Sequence, residues 1–421
     1  MKKLLYLLYI STFCVLYSCS DNDNTETITY KIHEPVFMNA TTFRNSVKVS
    51  VTPQKITQKG KICFYGDYLY ISEPDKGIHI IDNRIPSSPK NAGFIELMGN
   101  ADLSIRNNML YADSYIDLVW FDISNPAKPE LKGRLENVFE KALPPMEDFR
   151  FGYDYAMCYL NNDNKDIIIG WTLVERTETV KRDMIGCYDY AYMQNSSNSG
   201  SGANGLNGSM SRFGLYQDYL YTVINNTMNI FNLSGDKPVK AADNIYIGGN
   251  VETIFSYKDN MFMGTPTGML IYSVKDPLKP DYQSSLQHVY GCDPVVVEDD
   301  LAYVTIHSGN MCGQNANELF IVDVSDVKMP KQIVSYTMTG PKGLGIDNGT
   351  LFLCDDGLKV YKSDDPQKLI SNQLAHHKGM NGYDVIPHDN TLMMIAEDGL
   401  YQYDYSDLQN IRQISVLTIG K

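Results

Sequence analysis

The sequence predicts an all-β fold, and three observations support that prediction. Tyrosine is abundant, with 30 residues against 2 tryptophans, which suits sheets that are apolar on one side and wet at their edges. Short segments rich in β-branched and aromatic residues alternate with turn residues along the chain. These segments recur about every 40 residues, a period typical of β-propellers and solenoids. Together they predict a β-propeller of about eight four-stranded blades, with seven as the alternative.

The clearest repeat unit begins at Lys61 and ends at Leu97. It contains four strand-length segments, each bounded by glycine, proline, asparagine or aspartate. A four-stranded blade is apolar on both faces and cannot bury them alone, so radial stacking into a closed ring solves the burial problem. The alternative is a chance run of strands in a sandwich, which does not require a phrase repeated at fixed intervals.

The same unit can be followed along the chain by the residue that ends its third strand. The aligned residues are Asp82, Asp122, Trp171, Asn232, Ser273, Asp323, Lys362 and Asp404. We therefore count eight units, in which Trp171 marks the third. The aspartate at this position is expected to cap the following turn through side-chain to backbone hydrogen bonds, with ligand binding as the alternative role.

The phrase Leu-Phe-Ile-Val-Asp-Val-Ser-Asp, residues 319–326, resembles the LVIVD-repeat family. The resemblance covers most of residues 60–418, although units three, four, seven and eight depart from the phrase. It implies a β-propeller in the bacterial cell envelope and supplies no agreed catalytic residues. We expect one propeller domain over residues 30–421, with the strand at Val47–Val51 completing the last blade and so closing the ring.

The N-terminus has the features of an export signal, with Lys2-Lys3 followed by a mostly apolar stretch to Leu16. Leu16-Tyr17-Ser18-Cys19 resembles a lipobox, which implies removal of residues 1–18 and lipidation of Cys19; a plain cleaved leader is the alternative. Residues 19–29 are expected to be a disordered acidic tether. Its acidic run resembles the surface-export signal of Bacteroidetes lipoproteins, which implies an outer-membrane lipoprotein exposed at the cell surface.

The formal net charge is −14, and no run of lysine and arginine interrupts it. Such a chain repels phosphate backbones, so nucleic acid is not an expected partner. The expected partners are the membrane, through the lipid, and a protein or glycan whose identity the sequence does not specify.

Two segments break the repeat. Residues 181–211 contain a Ser/Gly/Asn-rich stretch and are expected to form a flexible surface insertion, with an ordered binding lid as the alternative. The second break lies between two strands of the sixth unit. Cys292 and Cys312 flank those strands, and we expect a disulfide between them, with two buried thiols as the alternative.

Charged residues recur just before or within the first strand of the units. If that strand lines the axis, mixed charges face one another there, namely Lys61, Asp102, Arg212, Glu252, Asp293 and Asp384. The favoured interpretation is a set of mutually compensating charges, and the alternative is a mouth that binds a cation or a small polar ligand. The histidines fall in different phases of the repeat, so no transition-metal site and no cofactor are predicted.

No nucleophile elbow, HExxH motif, Walker loop or dinucleotide fingerprint is present in the sequence. We therefore expect a non-enzymatic, lipid-anchored platform that binds a protein or glycan, and assign no catalytic residues. Two alternatives stay open. One is a carbohydrate hydrolase or lyase that uses acids near the axis, and the other is a structural subunit of an outer-membrane complex.

Overall fold

A computed structural model describes residues 25–58, 60–139, 142–146, 148, 150–160, 166–181, 212–224, 226–287, 294–307 and 316–418. Seven antiparallel sheets follow one another along the chain, and each contains four consecutive strands. The first strands of successive blades lie beside one another and therefore surround the axis. The β-propeller prediction is confirmed, with the lower of the two expected blade numbers.

The strands of each blade run outward from the axis in chain order. Blade 1 consists of Ile62–Tyr65, Tyr68–Glu73, Gly77–Asp82 and Lys90–Glu96, and blade 2 of Leu103–Arg106, Met109–Ser114, Asp117–Asp122 and Glu130–Leu135. Blade 3 consists of Phe213–Tyr216, Tyr219–Ile224, Thr227–Asn232 and Val239–Tyr246, and blade 4 of Thr253–Tyr257, Asn260–Thr265, Gly268–Ser273 and Asp281–Gln287. Blade 5 consists of Val295–Glu298, Leu301–Ile306, Glu318–Asp323 and Lys331–Thr337, and blade 6 of Leu344–Asp347, Thr350–Cys354, Leu358–Lys362 and Gln373–His377. Blade 7 consists of Gly382–His388, Thr391–Ala396, Gly399–Asp404 and Arg412–Thr418.

Each of the seven junctions between neighbouring blades is filled by one apolar cluster. Successive side chains of a strand point to opposite faces, so one strand serves two junctions. Ile80 packs against blade 2, whereas its neighbour Ile81 packs against blade 7. Burying one such aliphatic side chain contributes roughly 1.5–3 kcal/mol, which explains why the inner strands are apolar on both faces.

Hydrogen bonds between blades recur with the repeat. Tyr70, on the second strand of blade 1, donates to the carbonyl of Pro126 in blade 2 at 2.8 Å. Tyr221 of blade 3 makes the same bond to the carbonyl of Pro277 in blade 4 at 2.8 Å. Both tyrosines are fully buried, so the bond supplies a partner to a hydroxyl group that has no access to solvent.

The aspartate that ends the third strand caps the next turn, as predicted. Asp122 accepts from the backbone N–H of Ser124 at 2.9 Å, and Asp323 accepts from that of Ser325 at 2.9 Å. Where asparagine replaces the aspartate, Asn232 makes the equivalent bond to Ser234 at 2.8 Å. The residue at this position is therefore a structural cap in these blades.

The unit marked by Trp171 is not a blade, which corrects the expected repeat alignment. Its strand, Asp166–Lys181, pairs in antiparallel register with Thr25–Asn39 and forms a separate two-stranded ribbon. The β-rich sequence around Trp171 was identified correctly as a strand, but its partner lies near the N-terminus. The indole instead packs against His33 and Tyr153 beside a short π-helix, Ala156–Leu160.

The ribbon is attached to blade 2 through a short helix, Ala40–Arg44. Phe43 of this helix packs with Tyr115 and Ile167 in a small apolar cluster. Arg44 forms an ion pair with the buried Asp117 at 2.9 Å, and Arg134 binds the same carboxylate at 2.8 Å. Because Asp117 is fully buried, these two guanidinium groups compensate its charge where water cannot.

The N-terminal strand does not complete the last blade, contrary to the prediction. Lys48–Ser50 pairs with the outermost strand of blade 1 and makes that sheet five-stranded. Blade 7 takes all four of its own strands from residues 382–418. The ring closes through side chains: Ile62 and Ile71 of blade 1 pack against Met393 and Ile395 of blade 7.

The first strand begins at Thr25, so residues 25–29, expected in the tether, belong to the ribbon. The predicted signal peptide and residues 19–24 lie outside the described residues, as do residues 182–211 of the insertion. Among the described helices, none has the length and apolar character needed to cross a membrane. Two short 3-10 helices, Pro366–Lys368 and Ile370–Asn372, complete the regular structure.

Candidate functional site

The two faces of the ring carry different connections. One face, which we call the repeat face, carries the turns between first and second strands and the connections between third and fourth strands. All seven turns between first and second strands have two residues, from Gly66-Asp67 in blade 1 to Asp389-Asn390 in blade 7. The other face, which we call the insertion face, carries the turns between second and third strands and the connections between blades.

The two longest connections between strands of the seven four-stranded blades begin and end at the insertion face. One joins Leu135 of blade 2 to Phe213 of blade 3 and includes the second strand of the ribbon. The other joins the second and third strands of blade 5, between residues 306 and 318. The next in length joins Lys362 to Gln373 of blade 6 and lies on the repeat face. Departures from a regular scaffold are where binding residues concentrate, so this face is the candidate functional surface.

Three of the charges predicted at the axis do meet there. The Lys61 ammonium lies 3.2 Å from Asp102 Oδ1 and 3.4 Å from the carbonyl oxygen of Phe213. The other carboxylate oxygen of Asp102 accepts from the backbone N–H groups of Arg212 and Phe213, the latter at 3.1 Å. This arrangement joins the first three blades at the insertion end of the axis.

The environment of Lys61 stabilises its charge. Burial by itself would lower the pKa of Lys61, but the adjacent Asp102 carboxylate outweighs that effect and the pKa is raised. Asp102 is fully buried and accepts hydrogen bonds from three backbone N–H groups in addition to its ion pair. Its carboxylate is thus occupied by the protein itself, which favours the interpretation of mutually compensating charges.

A second carboxylate, Asp113, lies in the same cluster. Its Oδ1 accepts from the backbone N–H groups of Ala101 and Asp102 at 2.7 and 2.9 Å, and its Oδ2 lies 3.4 Å from the Arg212 guanidinium. Burial raises the pKa of Asp113 to about 6, although these donors oppose the shift. Burial likewise raises the pKa of Asp75 to about 6, against the attraction of Arg212.

The other predicted axial residues are placed differently. Asp384 accepts from the backbone N–H of Val385 at 2.9 Å and contributes to the raised pKa of Lys61. Glu252 is buried at the start of blade 4, where its backbone N–H donates to the carbonyl of Gly264 at 2.9 Å. Asp293 lies outside the described residues.

A separate polar cluster links blades 5, 6 and 7 at the insertion face. The Lys342 ammonium donates to Asn381 Oδ1 at 2.7 Å and lies 4.1 Å from the centre of the Tyr383 ring. The amide of Asn381 donates in turn to Glu397 at 3.3 Å. Nearby His307 is buried, and burial together with the Lys342 charge lowers its pKa to about 4.

The arrangement does not favour a cation at the axis. Among the described residues, no group of three or more histidine, cysteine, aspartate or glutamate side chains is arranged to hold a metal ion. A cation at Asp102 would have to displace the Lys61 ammonium, which already neutralises that carboxylate at 3.2 Å. The Asp102 carboxylate is neutralised by Lys61, so it is poorly placed to act as a general base on a substrate.

Three cysteines are described, Cys63, Cys158 and Cys354, and each is a free thiol. Burial raises the pKa of Cys63 to about 11 and that of Cys158 to about 12, so neither is an activated nucleophile. The predicted lipidation site, Cys19, and the predicted disulfide partners, Cys292 and Cys312, lie outside the described residues.

Sequence reasoning did not identify Asp113 or Lys342. Asp113 lies near the end of the second strand of the LVIVD-like unit rather than before the first, and Lys342 precedes its strand by two residues. The available signal was their phase in the repeat, because both the turn after the second strand and the connection before the first reach the insertion face. The sequence alignment compared only the residues before the first strand of each unit, and so it left out the residues at the end of the second strand, which reach the same face.

Comparison with known proteins supports the fold. The solved structure of Sqt1 from Saccharomyces cerevisiae has a TM-score of 0.50 and 6% identity, covering 92% of this chain and 90% of that chain. Hsv2 from Kluyveromyces lactis has a TM-score of 0.45 and 10% identity, covering 86% and 98%, respectively. The computationally designed protein Ika8 has a TM-score of 0.44 and 9% identity, covering 83% and 96%. At 6% identity the likeness to Sqt1 shows the fold alone.

Sequence comparison identifies the repeat. No curated protein matches the chain. The model described as "LVIVD repeat" matches residues 60–94, 99–137 and 293–338, which correspond to blades 1, 2 and 5. The chain is therefore an all-β, seven-bladed propeller that contains LVIVD repeats, an architecture consistent with a protein-interaction scaffold.

Proposed function

We propose that this chain is a lipid-anchored platform of the cell envelope, which binds a protein or glycan at its insertion face and catalyses no reaction. The observation that carries the proposal is the position of the two longest connections between blade strands, both of which begin and end at that face. On the repeat face, the seven turns between first and second strands all have two residues and give a partner little to distinguish one blade from another. The insertion face differs from blade to blade and can therefore be specific.

The proposed anchor rests on the sequence. Lipidation at Cys19 would hold the ring at the membrane surface, and two or three acyl chains suffice for stable attachment. The test is metabolic labelling with an alkyne-bearing fatty acid, in the wild type and in Cys19→Ala. Label on the wild type alone supports the anchor. Equal label on both, or none on either, contradicts it.

The binding face can be tested with a photo-crosslinking amino acid placed at matched exposed positions on both faces. Asp356 and Asp398 lie in turns of the insertion face, and Asp67 and Asp259 lie in turns of the repeat face. In intact cells, irradiation is expected to give defined crosslinked products from the first pair and not from the second. Products of equal yield from both pairs, or from the repeat face alone, contradict the proposal.

A further inference from the structure

Lys342 differs from the other cations at the insertion face because the described residues leave its charge without a bonded counter-ion. Lys61 is paired with Asp102, and Arg212 lies 3.4 Å from Asp113. The contacts of the Lys342 ammonium within the described chain are the amide oxygen of Asn381 and the face of Tyr383, both of which are neutral. An ammonium group can donate three hydrogen bonds, so this one keeps donors for a further partner.

The position of Lys342 is fixed by its backbone. Its N–H donates to the carbonyl of Cys354 at 2.8 Å, and its carbonyl accepts from the Thr305 hydroxyl at 2.7 Å. The next residue, Gly343, donates to the carbonyl of Tyr383 at 2.8 Å. At Gly343 a Cβ would lie 2.5 Å from that carbonyl, so glycine is needed for the two connections to approach this closely. The lysine is thus held at the junction of three blades rather than on a free loop.

The surroundings make the missing counter-ion costly. Lys342 is half-buried, and burial lowers the pKa of its ammonium group. Glu397 and Cys354 favour the charge only from a distance, since the Glu397 carboxylate is bonded to Asn381 rather than to the lysine. Burial opposes a charge unless an opposite charge accompanies it, so an anionic ligand would recover energy at this position.

We propose that Lys342, together with Asn381 and Tyr383, forms a binding site for the carboxylate group of a small ligand. The ammonium supplies the charge and the remaining donors, and it is held in place by Asn381 Oδ1, which accepts from it, and by the face of the Tyr383 ring. The Asn381 amide nitrogen donates in turn to Glu397 and to the Tyr383 hydroxyl. The strongly acidic chain repels carboxylates elsewhere on its surface, so this unpaired cation gives local selectivity. The inference rests on the insertion face being the binding face and adds the chemistry that it recognises there.

Two sources of a carboxylate are distinguishable with small probes. Galacturonate represents a sugar acid, N-acetylglutamate represents an acidic peptide side chain, and galactose and N-acetylglutamine are their uncharged counterparts. Binding is measured by titration calorimetry on the full chain. We expect at least one of the two acids to bind and its uncharged counterpart to bind at least about tenfold more weakly, which corresponds to about 1.4 kcal/mol.

The variants are Lys342→Met, which removes the charge, and Lys342→Arg, which keeps it. Lys258 provides a matched control, because its ammonium lies 5.0 Å from the centre of the Tyr257 ring on the repeat face. We expect Lys342→Met to abolish binding of the acid, Lys342→Arg to retain it within about tenfold, and Lys258→Met to leave it unchanged. Thermal unfolding of each variant shows whether the fold persists.

The dependence of affinity on pH supplies a readout that a purely structural lysine would not give. The acid binds the protonated amine, so the wild-type affinity should fall as pH rises from 7 to 10, and should fall less in Lys342→Arg. The titratable groups around the lysine are Glu397, Asp384, Cys354, Tyr383 and His307. Burial raises the pKa values of Cys354 and Tyr383, and burial together with the Lys342 charge lowers that of His307 to about 4.

The outcomes separate this inference from the proposed function. Failure of both acids to bind, or binding that is unchanged in Lys342→Met, overturns the carboxylate site. If crosslinking at Asp356 and Asp398 still succeeds, the insertion face remains the binding face, and only the carboxylate site at Lys342 is excluded. If crosslinking fails as well, the proposed function falls with it.

Discussion

Gln402 Nε2 donates a hydrogen bond of 2.8 Å to Asn83 Oδ1, across the junction where the last blade meets the first. Both side chains are buried, and they lie 319 residues apart in the chain. A propeller ring can also be closed by an outer strand from one end of the chain that completes the blade formed by the other end. Here the two blades are complete in themselves, and side chains alone join them.

Replacing Asn83 by alanine should destabilise the ring, because it leaves the buried amide of Gln402 without its partner. A stranded buried polar group costs about 1–3 kcal/mol. We expect a loss of that size in urea unfolding. In the double variant Asn83→Ala with Gln402→Leu much of the loss should be recovered, because no polar group is then left unpaired. A loss that simply adds in the double variant contradicts the pairing.

The tyrosine bonds between blades should each contribute measurably. Tyr70→Phe and Tyr221→Phe remove one hydroxyl apiece and leave the carbonyls of Pro126 and Pro277 without their donors. We expect each variant to lose about 1 kcal/mol, and the double variant to lose about twice that, because the sites are distant. Tyr246→Phe is the control, since Tyr246 is 70% exposed. Equal losses in the control would contradict a specific role.

The extra strand Lys48–Ser50 should be dispensable for the ring. Val49→Pro removes one backbone N–H from the strand that pairs with the outer edge of blade 1 opposite Ile95, and we expect a loss of about 1–2 kcal/mol with cooperative unfolding preserved. Proline at Ile95, which is fully buried between two strands, should prevent folding. If Val49→Pro also prevents folding, the strand Lys48–Ser50 is needed for closure of the ring, which contradicts its position at the outer edge of blade 1.

Acid should weaken the contact between Glu73 and His79, whose Oε2 and Nε2 atoms lie 2.5 Å apart in the buried part of blade 1. Burial alone would raise the pKa of Glu73, but bonds from His79, Thr57 and Lys76 lower it from 4.5 to about 2. A lowered pKa means stability that is fully present above pH 4.5 and lost as the pH falls towards 2. The difference corresponds to roughly 3 kcal/mol.

The measurement compares the wild type with Glu73→Gln by chemical unfolding between pH 2 and 7. Above pH 4.5 the wild type should be the more stable protein, and the gap should narrow steadily towards pH 2. A gap independent of pH would show that the carboxylate charge is not what these donors stabilise.

Much of the ring was predictable from the sequence because the repeat records both strands and turns. In the segments from Ile62 to Leu97, successive apolar side chains point to opposite faces of the blade and so pack into the two neighbouring junctions. The capping aspartates mark the end of the third strand. Strand identity is a local property of that kind. Strand partners are not, which explains why the segment around Trp171 was assigned to a blade although it pairs with residues near the N-terminus.

The candidate site was predictable only in part for a related reason. The phase of the repeat placed Lys61, Asp102 and Arg212 at one end of the axis, and the structure brings them together. Which charges neutralise each other depends on how neighbouring blades are staggered, and the sequence does not record that. Asp113 and the unpaired charge of Lys342 emerged only from the packing of separate blades.

Two faces, an axis and junctions between blades exist only if the ring is closed, so closure is the claim on which the rest depends. The direct test is the double variant Asn83→Cys with Gln402→Cys, treated with a short thiol crosslinker and mapped by mass spectrometry. We expect a crosslink between these two positions within single molecules, and none in the control pair Asn83→Cys with Asn232→Cys. Crosslinks only between molecules, or equal yields in both pairs, would contradict a closed ring.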